Sequence, residues 1–363
     1  MSNIVISGYY GFGNAGDEAM LAAILESLLE IMPTADITVI TGSPEFTKRV
    51  HGVKTVHRLH FGVIMNVIRR CDLLISGGGS LLQDVTSDRS LYYYLSIMKI
   101  AHFFNKPVML YAQGIGPIQR DLAKKAVKSV LNKVDLITVR DEGSKKELLD
   151  LGVTKPPIEV TADAVLSMNR VDKGIGYALL QKYNITGINP KIGISVREWK
   201  NVGQFKQELA LAADRIALEH HADIVFIPMQ YPGDVKIARE IGAYMKHAPY
   251  ILDEEYTTVE VMSIIGCMDL LVGIRLHALI FASLMHVPIV GISYDPKVVR
   301  FLHMIGEEPV ATLDTIKASD LVGAIEQQLS LEGLKSSVEK NISLLREQSL
   351  RNARLALKVI ENR

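Results

Sequence analysis

The chain has 363 residues, 48% of them hydrophobic and 6% aromatic, which is enough apolar material for two cores. Forty Lys and Arg balance forty Asp and Glu, so bulk charge gives no case for a nucleic-acid partner. Cys71 and Cys267 are the only cysteines and lie in apolar stretches; buried thiols in a reducing compartment are expected, with no disulfide framework and no metal site.

In chain order, Met1-Ser2-Asn3 leads straight into Ile4-Val5-Ile6 without a basic, long apolar or cleavable stretch, so cytoplasmic residence is expected. Asn3 to Ser7 reads as a first buried strand and Gly8 to Glu18 as a glycine-rich loop. Ala19, Met20, Leu21, Ile24, Leu25 and Leu28 then follow at helical spacing. Ala35 to Ile40, Asp72 to Gly77 and Lys106 to Leu110 read as further strands, being short apolar runs separated by helical segments. The second half repeats this order in Lys191 to Ser195, Ala222 to Ile227, Asp269 to Gly273 and Val287 to Gly291. Leu270 to Tyr294 could pass for a membrane span, but Arg275, His277, His286 and Pro288 break it into strand, helix and strand.

The expected fold class is α/β, with two Rossmann-like domains whose parallel sheets face one cleft. Residues 1–170 would form an acceptor-side domain, 171–190 a linker interrupted by Gly174, Gly176, Gly187 and Pro190, and 191–333 a donor-side domain. Residues 334–363 read as a basic helix in which Lys335, Lys340, Arg346, Arg351, Arg354, Lys358 and Arg363 outnumber Glu339, Glu347 and Glu361. That helix suits an anionic membrane surface, or a solvated face with Leu344, Leu345, Leu355 and Val359 packed inward.

In open α/β sheets, ligands bind beyond the carboxyl ends of the strands. After the first strand come Gly13, Asn14 and Asp17 in a glycine loop that opens a helix. It lacks both the dinucleotide spacing and the P-loop lysine. Asp17 fits a general base or a helix cap. Gly77, Gly78, Gly79 and Ser80, then Gln113 and Gly114, form two more close-approach loops, with Gln113 suited to hydroxyl or amide partners; tight turns are the plainer reading. In the second half, Arg197, Gln230, Arg275, His277 and Asp295 take the corresponding places. An arginine in an apolar segment needs a partner, since an unpaired buried charge costs about 3–5 kcal/mol; a bound anion or a structural carboxylate would serve. Asp295 also suits a turn cap before Pro296.

Gly11-Phe12-Gly13-Asn14-Ala15-Gly16-Asp17-Glu18, Ser76-Gly77-Gly78-Gly79-Ser80, Gln113-Gly114-Ile115-Gly116-Pro117, Arg140-Asp141 and Arg275-Leu276-His277-Ala278 together resemble the polysaccharide pyruvyl transferases. The likeness runs in order through nearly the whole chain. It looks closest to Gram-positive members that add a pyruvate ketal to N-acetylmannosamine of secondary cell-wall polymers, the mark read in S-layer anchoring. The resemblance implies a GT-B-like fold, phosphoenolpyruvate as donor substrate with no separate cofactor, and a lipid-linked disaccharide acceptor met peripherally at the cytoplasmic membrane face. In such chemistry Arg275 suits the donor anion, His277 the proton for its methylene carbon and Asp17 the acceptor hydroxyl, with Arg197 as a second anion contact. The alternative reading is a GT-B glycosyltransferase using a nucleotide sugar.

Overall fold

A computed structural model describes residues 2–85, 88–199, 203–331 and 333–362. Met1 and Arg363, the ends of the expected domains, lie outside the described residues. The chain divides into two compact units. One holds Met1–Phe12, Asp17–Met168 and Leu344–Arg363, the other Gly13–Gly16 and Asn169–Ser343.

Eight strands of the first unit are β1 (Asn3–Ser7), β2 (Asp36–Thr41), β3 (Lys54–His57), β4 (Leu73–Ser76), β5 (Gly79–Leu82), β6 (Val108–Ile115), β7 (Leu136–Val139) and β8 (Ile158–Val160). They make one parallel sheet of order β3-β2-β1-β4-β6-β7-β8, with β5 pairing to β6. In the second unit β9 (Lys191–Ser195), β10 (Asp223–Phe226), β11 (Tyr250–Ile251), β12 (Leu270–Gly273), β13 (Ile289–Ser293) and β14 (Ala311–Thr312) take the order β11-β10-β9-β12-β13-β14. Apart from β5 and β8, the two orders are the same, the doubly wound arrangement in which strand order reverses beside the first strand. Burial on both faces explains the unbroken apolar runs: Ile4, Ile6, Leu73, Leu74, Ile192 and Leu270 are all nearly inaccessible.

The repeat extends to single hydrogen bonds. The Asp72 carboxylate accepts from the Asn3 N–H at 2.7 Å, and the Asp269 carboxylate accepts from the Lys191 N–H at 2.7 Å. At the other end of the strands, Gly77 N–H donates to the Ser7 carbonyl at 2.8 Å and Ile274 N–H to the Ser195 carbonyl at 2.9 Å. Each parallel ladder is thus closed at both ends by the same device.

The expected partition is drawn differently by the structure. Within 171–190, helix Lys173–Gln181 packs on helix Thr258–Gly266, where Gly176 N–H donates to Ser263 Oγ at 2.6 Å and a side chain at 176 would collide with the Ser263 backbone. That segment is part of the second unit's body. The last helix, Ser336–Glu361, begins in the second unit and from Leu344 belongs to the first. There Asn352 Oδ1 accepts from Thr161 Oγ1 at 3.0 Å, Ser349 Oγ donates to Ala164 O at 3.2 Å, and Arg351 pairs with Glu159 at 2.9 Å. Leu345 is buried as expected, whereas Leu344 is exposed; Ala353 and Ala356 fill the packed stripe instead.

Candidate active site

At the carboxyl end of the first sheet, the glycine loop is held by Glu18, whose Oε1 accepts from Gly11 N–H at 2.7 Å while Oε2 meets His51 Nε2 at 3.2 Å. Gly11 and Gly13 have φ of 78° and 65°, the left-handed region that favours glycine. The helix starts at Ala15, and Asn14 Oδ1 accepts from Gly16 N–H at 3.0 Å. The cap is therefore Asn14, and Asp17 stands inside the first turn. The Asp17 carboxylate lies beside Gly79, and after burial its charge is the next cause raising the Tyr9 and Tyr10 phenols above their ordinary range.

At several glycines expected to bring backbone close to a ligand, the space a side chain would take is already filled. A side chain at Gly77 would collide with Tyr10 Oη, one at Gly78 with the Met20 thioether, and one at Gly114 with the Arg140 guanidinium at 2.5 Å. Gly79, at φ 96°, is required by its backbone. Gln113 is fully buried, and its amide donates to Ser76 Oγ at 3.0 Å and the Gly77 carbonyl at 2.6 Å, tying β6 to the end of β4. Its amide N–H groups are spent on protein, while its buried Oε1 accepts from no protein donor. Ser80 Oγ accepts from Arg140 Nη2 at 3.2 Å, and Arg140 pairs with Asp163 at 2.9 Å in a nearly inaccessible ion pair. Asp163 carried no signal in the sequence, being 23 residues away.

In the second unit, Gly13–Gly16 runs against the loop after β10: Asn14 bridges Gln230, Tyr231 N–H donates to Gly13 O at 3.1 Å, and Ala15 N–H donates to Met229 O at 2.8 Å. Asp234, overlooked in the sequence although it opens helix Gly233–Gly242, organises this loop. Its Oδ2 accepts from the Met229 and Gln230 N–H groups at 3.0 and 2.9 Å. Its Oδ1 takes a short hydrogen bond from Arg275 Nη2, which also donates to Gln230 Oε1 at 3.2 Å. Of the two partners open to Arg275, the structural carboxylate is the one present, so no anion is needed to hold this cation in the fold. His277 lies against Gly16, where a β-carbon would overlap its imidazole ring; glycine at 16 thus sets the ring's position.

Register places the remaining charges. Ser195 pairs with Gly273 and Gly273 with Gly291, so Arg197, Arg275 and Ser293 each stand two residues beyond one level of three adjacent strands. Arg197 Nη1 donates to Tyr294 Oη at 2.6 Å, and its guanidinium lies 4.5 Å from the Tyr294 ring and 5.2 Å from that of Trp199. Lys297, not singled out in the sequence, lies 5.2 Å from the Tyr294 ring and 3.6 Å from Asp295. Asp295 is the cap of helix Pro296–Ile305, accepting from Lys297 N–H at 3.0 Å, the turn role expected for it. The end of this sheet therefore gathers Arg197, Arg275, His277 and Lys297, a set suited to carboxylate and phosphate oxygens and to proton transfer.

The chain is 23% identical to the amylovoran biosynthesis protein AmsJ of Erwinia amylovora, covering 85% of this chain and 87% of that protein. Among solved structures it resembles a UDP-N-acetylglucosamine 2-epimerase of Listeria monocytogenes described as putative, with TM-score 0.69, 14% identity and coverage of 100% of this chain and 96% of that one. A glycosyltransferase of Rickettsia africae superposes with TM-score 0.62 at 13% identity, covering 99% and 98%. These structural likenesses establish a GT-B-type fold and no more. Residues 14–296, from the Asn14 loop to the start of the helix that carries Lys297, match the family described as polysaccharide pyruvyl transferase, and the chain belongs to that family of pyruvyl-transferring enzymes.

Proposed function

We propose that this protein takes pyruvate from phosphoenolpyruvate and fixes it as a 4,6-ketal on a sugar, N-acetylmannosamine, of a lipid-linked cell-wall polysaccharide precursor. The family match over residues 14–296 carries the reading. The cations at the ends of β9, β12 and β13 support it, because phosphoenolpyruvate presents a carboxylate and a phosphate on adjacent atoms. One acceptor hydroxyl adds to C2 of the donor while the methylene carbon takes a proton and becomes a methyl group. Loss of phosphate from C2 then lets the second hydroxyl close the ketal, its proton leaving with the phosphate. In this reading Arg275, already oriented by Asp234, and Arg197, oriented by Tyr294, grip the donor. His277 supplies the proton, and Asp17 takes the proton of the attacking hydroxyl.

S-layer anchoring as the eventual use, the cytoplasmic face as the place of reaction and the absence of a separate cofactor belong to the same proposal. Among the described residues no helix is long and apolar enough to cross a membrane. The deciding experiment is mass spectrometry after incubation with phosphoenolpyruvate and a synthetic ManNAc-GlcNAc diphosphate acceptor. A product heavier by one pyruvyl ketal, with phosphate released, is expected. Transfer from a nucleotide sugar in its place would establish the glycosyltransferase reading.

A further inference from the structure

The first unit carries a face unlike the rest of its surface. Residues 46–71 contain six Lys and Arg, and residues 89–120 contain four, yet neither stretch has one Asp or Glu, in a chain whose overall charges balance. Within them lie helix Phe61–Arg70, which carries Arg69 and Arg70, and all but the first residue of helix Asp88–Phe103, which carries Arg89 and Lys99; the two pack on the same core, burying Ile64 and Ile68 from one and Leu91, Tyr94 and Leu95 from the other. Their outer sides carry large apolar groups that are left in solvent: Phe61 is 45% exposed, Tyr92 45% and Phe103 76%, with Leu59 at 62% just ahead of the first helix. Helical spacing puts Tyr92, Lys99 and Phe103 on one stripe, and Phe61 on a stripe that ends at Arg69. Among the described residues Arg69, Arg70, Arg89 and Lys99 are exposed and enter no ion pair.

We infer that this face docks on an anionic phospholipid bilayer. Exposed aromatic and aliphatic groups ringed by unmatched cations, with Asp88 the one acid in the two supporting helices, match the apolar interior and negative headgroups of such a surface together. A soluble solvated face would mix charges of both signs. The face also runs on to the glycine loop. The Phe61 ring meets Tyr93 edge-on at 6.3 Å, Arg58 lies over Tyr93 at 4.6 Å and over Phe12 at 5.2 Å, and Phe12 stacks on Tyr9 at 4.3 Å. Docking would therefore set the loop that opens on Asn14 next to the headgroups. This assignment requires nothing of the reaction chemistry, and it concerns a different surface from the basic C-terminal helix.

The test is co-sedimentation of the full chain with vesicles of phosphatidylcholine alone or mixed with phosphatidylglycerol. Binding to the mixed vesicles only, weakened by salt, is expected. Arg69→Ala and Arg70→Ala should each lower the partition about fivefold, equivalent to about 1 kcal/mol per basic group near the surface. Leu59→Ser with Phe61→Ser should lower it by about tenfold or more. Substituting Arg351 and Lys358 with Ala should leave it unchanged. Equal binding to both vesicles, no binding, or loss of binding only in the C-terminal variants would overturn the assignment. So would sedimentation velocity showing a dimer that Leu59→Ser with Phe61→Ser dissolves, since a second copy would then own the face. Should the apolar double variant melt early, the two arginine variants decide the matter alone.

Discussion

The two halves share a strand order and the hydrogen bonds that close their ladders, yet they finish their sheets with opposite materials. In the first, the strands end in glycines whose missing side chains are occupied by Tyr10, Met20 and Arg140. In the second they end in Arg197, Arg275 and Lys297, each already engaged by a neighbour: Tyr294, Asp234 and Asp295. One backbone plan thus gives a surface shaped by packing in one half and a set of oriented charges in the other. Duplication of the scaffold leaves chemistry to be divided by the loops.

The sharpest way to break this contrast is to remove the proton donor. His277→Ala should slow turnover by about a hundredfold to ten-thousandfold while calorimetry shows phosphoenolpyruvate still bound. Unchanged turnover would return His277 to a packing role against Gly16. On the other half, Asp17→Asn keeps the volume, and because Asn14 is the helix cap it should melt like the parent; if Asp17 is the base, phosphate release should fall by a similar factor. Full activity in that variant would leave the first half with no chemical group in the reaction.

Stability should separate the halves as well. Asp234→Asn strips the charge partner from Arg275 and weakens two backbone contacts, so denaturant unfolding should show a loss of about 3–5 kcal/mol, together with weaker donor binding. In the first half Gly77→Ala should cost about 1–3 kcal/mol through collision with Tyr10, whatever the ligand, because the defect is one of overpacking. A Gly77→Ala protein of normal stability would show that Tyr10 yields easily and that the glycine serves a ligand.

The smallest effect should be the same in both halves. Burial pushes the Cys71 and Cys267 thiols up to about 11, so folded chains keep them neutral where unfolded chains ionise theirs. Their contribution is complete below about pH 9 and is lost as pH rises toward 11, a decline that Cys→Ala variants should lessen. At neutral pH, neither thiol should react with an alkylating reagent until the chain is unfolded.

Periodicity and motif order were enough to read two parallel sheets and their loops, because a strand buried on both faces must be apolar throughout and a loop at its end must be polar or small. The break of Leu270 to Tyr294 into strand, helix and strand was legible for the same reason. Roles within the loops were not. A glycine that admits a ligand and a glycine that admits Tyr10 look alike in sequence, and that the Gln113 amide ties β6 to the Gly77 carbonyl shows only once the strands are neighbours. The Arg275 partner, Asp234, lies 41 residues away, and the Arg140 partner, Asp163, lies 23 away. Long-range charge pairing and side-chain packing depend on which strands become neighbours. Local sequence sets what each segment prefers to be; only the tertiary structure decides which groups satisfy one another and which remain to meet a substrate.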